Sequence, residues 1–144
     1  MNTEIIGMDE LLKYVGNLEK LPQKVVNKSA KKGANISLKD ARGKAPYLSG
    51  ALSGGIISKA EKTKTKGKKV YQAAIDPGKN DIFQKITKGG KQYYYPASQE
   101  YGFRTRGGGY VPGFHYMRDS VTSNASNIES TIVNDIIAEI DKIK

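Results

Sequence analysis

The 144-residue chain has no cysteine and no tryptophan, and a single histidine, His115. Without cysteine there is no disulfide, no thiolate nucleophile and no cysteine-bound zinc. One histidine leaves little material for a metal centre or a catalytic triad. No stretch approaches the roughly 18 consecutive apolar residues that a membrane-crossing helix needs. The opening residues Met1–Glu4 lack the basic start and apolar run of a secretory signal, so none is predicted. The length suits one domain. A domain of this size buries roughly 68–70% of its unfolded-chain surface, enough for a core without covalent staples.

What the chain has in excess is positive charge, a net +10 that is unevenly placed. Residues 1–19 sum to −3, residues 20–106 to +15 and residues 107–144 to −2. A basic middle between mildly acidic ends suits nucleic acid, a membrane face or an acidic protein, as well as plain solubility.

Met8, Leu11, Leu12, Val15 and Leu18 follow helical spacing and predict a short amphipathic helix. Pro22 suits the first position of a second helix, which should run to about Ala45, where Pro46 stops it. Val26, Ala30, Ala34, Ala41 and Ala45, with Gly33, mark its inner face. Residues 54–60 and 70–75 read as strands joined by a lysine-rich hairpin arm over 61–69. A further strand is expected at 82–86, then a Gly89-Gly90 turn, then a glycine loop over 104–110. Both basic segments are expected to be mobile arms. A helix from Pro112 to Val121 and another after the capping-box pattern Ser126–Glu129 complete the reading. Ile128, Ile132, Val133, Ile136, Ile137 and Ile140 form an apolar stripe on that last helix, expected to be core. The class is α+β: a small antiparallel sheet packed with a long N-terminal helix and a C-terminal helix, in one domain.

The catalytic options are thin. His115 and Asp119 lie one helical turn apart, but no nucleophile can be assigned beside them. Asp76 with Asp81, or Glu100 with Asp119, could be paired carboxylates, yet nothing in their spacing requires proximity. Gly107-Gly108-Gly109 lacks the Gly-Lys-Ser/Thr ending of a phosphate loop. Arg104 and Arg106 beside it could grip phosphate or carboxylate. Tyr93–Tyr95, Tyr101, Phe103 and Tyr110 interleave with Lys91, Arg104 and Arg106, which in principle makes a stacking platform for single-stranded nucleic acid. Aromatics so placed are more often shared between core and interface. No enzyme and no cofactor or metal is expected.

Four segments, in order, carry a family resemblance. Gly7–Leu12 resembles the opening helix of the small tail-completion proteins of long-tailed phages, the gene-product-ten-like family of HK-type siphophages. Ala45-Pro46-Tyr47-Leu48-Ser49-Gly50-Ala51-Leu52 is similar to that family's Ala-Pro-x-x-Thr-Gly-x-Leu segment, with Ser49 for the threonine and Leu48 for a frequent aspartate. Tyr95-Pro96-Ala97-Ser98-Gln99-Glu100-Tyr101-Gly102 resembles its Tyr-Ala-x-x-x-Glu-Phe-Gly pattern. Tyr116-Met117-Arg118 falls where the family tends to have Phe-Leu-Arg, with Asp119 in place of a proline.

The resemblance implies a phage or prophage virion protein at the head–tail junction or tail end, passing through the host cytoplasm during assembly. It implies a ring of copies, such as a hexamer, joined to other neck or tail proteins, with non-specific DNA contact in the channel and no membrane. Assembly contacts are expected at Lys62, Lys64, Lys66, Lys68, Lys69, Arg104 and Arg106. The alternative is a sequence-independent nucleic-acid-binding protein built on the basic middle.

Overall fold

The computed structural model describes the backbone of residues 8–47 and 49–142 and, within the first helix, the side chains of Lys13 and of Gln23 onward. The apolar stripe expected over Met8–Leu18, and Leu48, lie outside the described side chains. The fold is α+β. One helix, α1, runs from Met8 to Lys44. The expected boundary at Pro22 is absent, and the two predicted helices are one. Proline removes a single backbone donor, while its ring already holds φ near the helical value.

The buried stripe of α1 is Val25, Ser29, Gly33, Ser37, Ala41 and Ala45, a run spaced by four. It shares Gly33, Ala41 and Ala45 with the expected inner face but has Val25, Ser29 and Ser37 in place of Val26, Ala30 and Ala34. Ser29 is fully buried because Asp135 accepts its hydroxyl proton at 2.8 Å. Ser37 turns its hydroxyl back to the Ala34 carbonyl at 3.0 Å.

Asp135 belongs to α6 (Ala125–Asp141), which lies antiparallel along α1. Lys28 meets Glu139 at 2.6 Å, Lys32 meets Asp135, and Asn124 donates to Asp40 at 2.9 Å. Early residues of one helix thus pair with late residues of the other. At Gly33 a Cβ would come within 2.9 Å of Ile132, so the missing side chain sets how closely α6 approaches. The capping box is not formed: Asn124 occupies the N-cap, and Ser126 and Glu129 lie inside the helix. Asn124 spends its amide on Asp40 and on the Ser120 carbonyl, tying α6 to its neighbours. The isoleucine stripe is half-covered only. Ile132, Ile136 and Ile140 are half-buried, whereas Val133 and Ile137 face outward. One facing helix and the edge of a hairpin do not span a stripe that wide.

Between these helices lie short elements. After α1 come α2 (Ala51–Gly55) and a hairpin of β1 (Ile56–Ala60) and β2 (Tyr71–Ile75), paired from Ile56↔Ile75 to Ala60↔Tyr71. A 3-10 turn at Pro77–Lys79 leads into α3 (Asn80–Phe83) and β3 (Gln84–Ile86), so the strand expected at 82–86 is helical in its first half. β3 pairs with β4 (Gln92–Tyr94), and Tyr95 opens α4 (Tyr95–Tyr101) with Pro96 in its first turn. Then β5 (Gly102–Arg104) pairs with β6 (Tyr110–Pro112) ahead of α5 (Tyr116–Thr122). Pro112 therefore ends a strand and does not start a helix. The expected small sheet is three separate two-stranded antiparallel ribbons.

The core gathers at the C-terminal end of α1, where Ala41 and Ala45 meet Leu52, Ile56, Phe83 and Tyr116. Arg42 latches this junction: its Nε and Nη2 both donate to the Ile56 carbonyl, at 3.1 and 2.8 Å. Among the described residues no helix is long and apolar enough to cross a membrane.

Two measurements check this architecture. Phe83→Ala should cost about 3–5 kcal/mol by urea unfolding, whereas Ile137→Ala, half-exposed, should cost no more than about 1 kcal/mol. The second concerns pH. Hydrogen bonds from Lys32 and Ser29 hold the Asp135 carboxyl below its ordinary range, as those from Lys28 and Lys142 do for Glu139. A depressed carboxylate contributes stability above its unfolded-state pKa and loses it as pH falls through the folded-state value. Acidification through and below the normal carboxylate range should therefore loosen the α1–α6 pair. Lys28, raised by its bond to Glu139, loses its contribution only in strong base. Asp135→Asn should lower the melting temperature at neutral pH and reduce its further fall in acid.

Candidate functional site

Of the four segments that carry the family resemblance, Gly7–Leu12 lies outside the described side chains, and the other three are brought together. Ala45 and Leu52 are buried in the core. Gly50 takes a left-handed conformation (φ 72°) at the N-cap of α2, and the Ser49 hydroxyl accepts weakly from the Ala51 N–H at 3.4 Å. Pro46, Ser49 and Leu52 share a cleft of about 150 Å³ with Phe83, Tyr93 and Tyr95. The second and third motif segments thus meet across the end of α1.

The third and fourth segments interlock through Glu100. Its side chain is buried, and its two oxygens accept the backbone N–H groups of Met117 (2.8 Å) and Arg118 (3.1 Å), at the start of α5. A carboxylate on unsatisfied N–H groups at a helix N-terminus is favoured by charge-assisted bonding and by the helix dipole. Backbone bonds from Phe114 N to the Gln99 carbonyl (2.7 Å) and from His115 N to the Glu100 carbonyl (3.1 Å) close the crossing. His115 adopts φ 50° and forms the left-handed step into α5. Tyr116 is wholly buried, with its hydroxyl donating to the Pro96 carbonyl at 3.1 Å. Burial first, then the nearby Glu100, pushes that hydroxyl well above the ordinary tyrosine value, so it remains a protonated donor. Gly102 sits at φ 84°, and a Cβ there would collide with the Val111 carbonyl. Tyr101 is exposed, and Arg118 turns its guanidinium outward to Asp119 at 3.0 Å.

The cations lie on the opposite kind of surface. Lys62, Lys64, Lys66 and Lys68 are exposed on the loop joining β1 and β2. Lys68 N donates to the Thr65 carbonyl across its tip, and Gly67 N donates to Gln23 Oε1 at 3.1 Å, anchoring the tip on α1. Lys69 is half-buried, bonded to the Glu61 carbonyl and lying 5.9 Å from the centre of the Tyr71 ring. Arg104 ends β5 and Arg106 stands in the following turn, closed by Thr105 N to the Gly109 carbonyl at 2.8 Å. The ribbon β3–β4, expected from sequence as a strand and a turn but without contact residues, repeats the pattern with exposed Lys85, Lys88 and Lys91. The available signal was the Gly89-Gly90 turn flanked by lysines.

None of these cations has an acidic partner among the described residues. The described ion pairs fall on α1, α5 and α6: Lys28 and Lys142 with Glu139, Lys32 with Asp135, Lys44 with Asp40, and Arg118 with Asp119. Charged tips on two-stranded ribbons also guard their open edges.

Two of the carboxylates considered for acid–base chemistry hold backbone, and Asp119 holds the Arg118 guanidinium. Asp76 Oδ1 accepts from Gly78 N at 3.0 Å, and Glu100 caps α5. Among the described residues no cluster of three His, Cys, Asp or Glu side chains is placed to hold a metal ion. An apolar groove of about 300 Å³ runs between α1, the β1–β2 ribbon and α6, lined by Gly33, Ala34, Val70, Ile128 and Ile132. Ser58 reaches it with a buried hydroxyl that has no hydrogen-bond partner. No family model, curated protein or solved structure matches the chain.

The capping carboxylate generates a prediction. Glu100→Ala strands two N–H groups in a buried place and should cost about 2–4 kcal/mol. Glu100→Gln, which offers one oxygen and one NH2, should recover part of that loss. Gly102→Ala should cost at least about 1–3 kcal/mol through its backbone conformation alone. Urea unfolding of the three variants, monitored by circular dichroism, reads all of these.

Proposed function

We propose that the chain is a structural assembly protein of a phage or prophage virion, a tail-completion or head–tail joining subunit that acts by protein–protein contact in a ring. The observation that carries the reading is the division of charge. Among the described residues most acids of α1, α5 and α6 are paired, while the cations at the ribbon tips have no acidic partner. The resemblance supports it, because its motif residues have coherent work here: Glu100, Gly102 and Tyr116 build one junction, and Pro46, Ser49, Leu52 and Tyr95 build another.

In such a ring the tips serve two partners. Cations facing a DNA channel meet phosphates without reading sequence. Cations facing a neighbour meet its acids, which steers docking. Neither contact requires a cofactor.

The test replaces the normal protein by a Lys64→Glu/Lys66→Glu/Lys68→Glu variant in the virus that encodes it. Exposed charges typically change stability by no more than about 0.5 kcal/mol, so the isolated variant should melt as the parent does. Electron micrographs should show filled heads and unjoined tails. Intact infectious particles would defeat the lysine-tip role, and a defect confined to an Arg104→Glu/Arg106→Glu variant would move the contact to the β5–β6 turn. Binding of unrelated duplexes should be weak and steeply salt-dependent. Sequence discrimination that persists at high salt would favour a dedicated nucleic-acid-binding protein instead.

A further inference from the structure

Two hydrogen bonds fix the phase of the β1–β2 ladder: Glu61 N donates to the Val70 carbonyl at 2.9 Å, and Asp76 N to the Gly55 carbonyl at 2.8 Å. Bonded and non-bonded pairs alternate in an antiparallel ladder. Counted inward from those two, Ile57↔Ala74 and Lys59↔Gln72 are bonded pairs, whereas Ile56↔Ile75, Ser58↔Ala73 and Ala60↔Tyr71 are not. The backbone groups of the non-bonded pairs point away from the ribbon. On β1 one of them, the Ile56 carbonyl, is taken by Arg42. On β2 those of Tyr71 and Ala73 have no hydrogen-bond partner among the described residues. Both residues line the apolar groove of about 300 Å³, across from Ile128 and Ile132 of α6. Ala73 also lines a second cavity, of about 400 Å³, with Tyr101, His115 and Met117. The two cavities thus meet at the open edge of β2. In the first, Ser58, opposite Ala73, has its buried and unpartnered hydroxyl. Lys69 lines the same groove, and its ammonium meets the Glu61 carbonyl and the Tyr71 ring but no carboxylate among the described residues.

We infer that β2 is a docking edge, to which an extended segment of a partner protein adds as a third strand, with an acidic side chain placed against Lys69. Three observations identify the occupant. Unpaired N–H and C=O groups at alternate residues of a strand are complementary to another extended backbone, whose main-chain bonds supply the affinity. The apolar groove beside them suits the alternate side chains of such a segment. The cation that lines it is complementary to a carboxylate. Strand addition also answers two costs that the isolated subunit carries, an open strand edge and a buried hydroxyl without a partner. The inference rests on the assembly reading above and deepens it, since it names the chemistry of a partner and a contact separate from the lysine tips.

The test combines amide exchange with peptide binding. In the free protein the Tyr71 and Ala73 amides should exchange with deuterium rapidly, and those of Gln72 and Ala74 slowly. The probes are two short fluorescent peptides of alternating valine and threonine, with two glutamates at the amino end of one and the carboxyl end of the other. Together they cover both strand directions. One of them should bind and slow exchange at Tyr71 and Ala73. Methylating its alternate backbone nitrogens, on the side that would face β2, should weaken binding about tenfold or more. Ala73→Pro removes an outward N–H and no ladder bond, and should weaken it as much. Lys69→Gln, which leaves the strand untouched, should weaken the glutamate peptide and not its glutamine counterpart. Circular dichroism melts control for folding of both variants. No binding of either peptide at millimolar concentration, or binding indifferent to backbone methylation, overturns the strand addition. Protection of Tyr71 and Ala73 that appears without peptide and grows with protein concentration overturns it too, since a second copy then fills the edge. Each of these failures leaves the assembly reading standing, because that reading is tested on Lys64, Lys66 and Lys68 in the virus.

Discussion

The buried carboxylate of Glu100 is the constraint on which the second half of the chain depends. A charge taken out of water must find partners or neutralise. Here the partners are the free N–H groups that open α5. Meeting that demand fixes α4 against α5. The excursion between them must then leave and return within a few ångströms, hence a tight ribbon with glycine at its base. Gly102 and Gly113 stand where the two chain segments cross, and no side chain fits between them and the passing carbonyls. Tyr116, one residue past the crossing, is thereby driven into the core beside Phe83 and Ile56.

From α5 the chain turns directly into α6, so the same carboxylate helps set where the last helix lies. Along α1 the alignment is kept by polar contacts as much as by apolar ones. Ser29 and Asp135 are neighbours across the helix pair, and Gly33 admits Ile132 at close range. The body built this way is helical and internally charge-balanced. The three ribbons are its periphery, short, open-edged and cationic.

That separation explains why the reading is of an assembly subunit. Among the described residues, Asp76 and Glu100 are occupied with backbone, and Asp40, Asp119, Asp135 and Glu139 with cations. The groove between α1, the β1–β2 ribbon and α6 is apolar, with a single unpartnered serine hydroxyl. What remains available is surface: lysines and arginines on hairpin tips, exposed aromatics on β5–β6 and the uncovered side of α6.

Much of this was legible in order along the chain. The ribbon β1–β2 is where apolar alternation on either side of a lysine run put it, and the Gly89-Gly90 and Gly107–Gly109 turns close the other two. The α+β class follows from the same local signals, since spacing and turn residues act within a few positions. Local signals also misled. Ser126 and Glu129 have the spacing of a capping box, but Asn124 starts the helix because its amide is held by Asp40, far away in sequence. Pro22 looks like a start because only the chain's packing, not its local chemistry, decides whether a helix tolerates one lost bond. Pro112 looks like one too, until Glu100 reaches over to begin α5 four residues later. Ser29 and Ser37 are both buried: Ser37 bonds locally to the Ala34 carbonyl, whereas Ser29 finds Asp135, an acceptor far away in sequence. The sequence by itself determined the helical character of both ends, the β1–β2 ribbon and where the positive charge would sit. Only the tertiary structure decided which faces are inside, because burial of a polar group depends on a partner brought by a distant part of the chain.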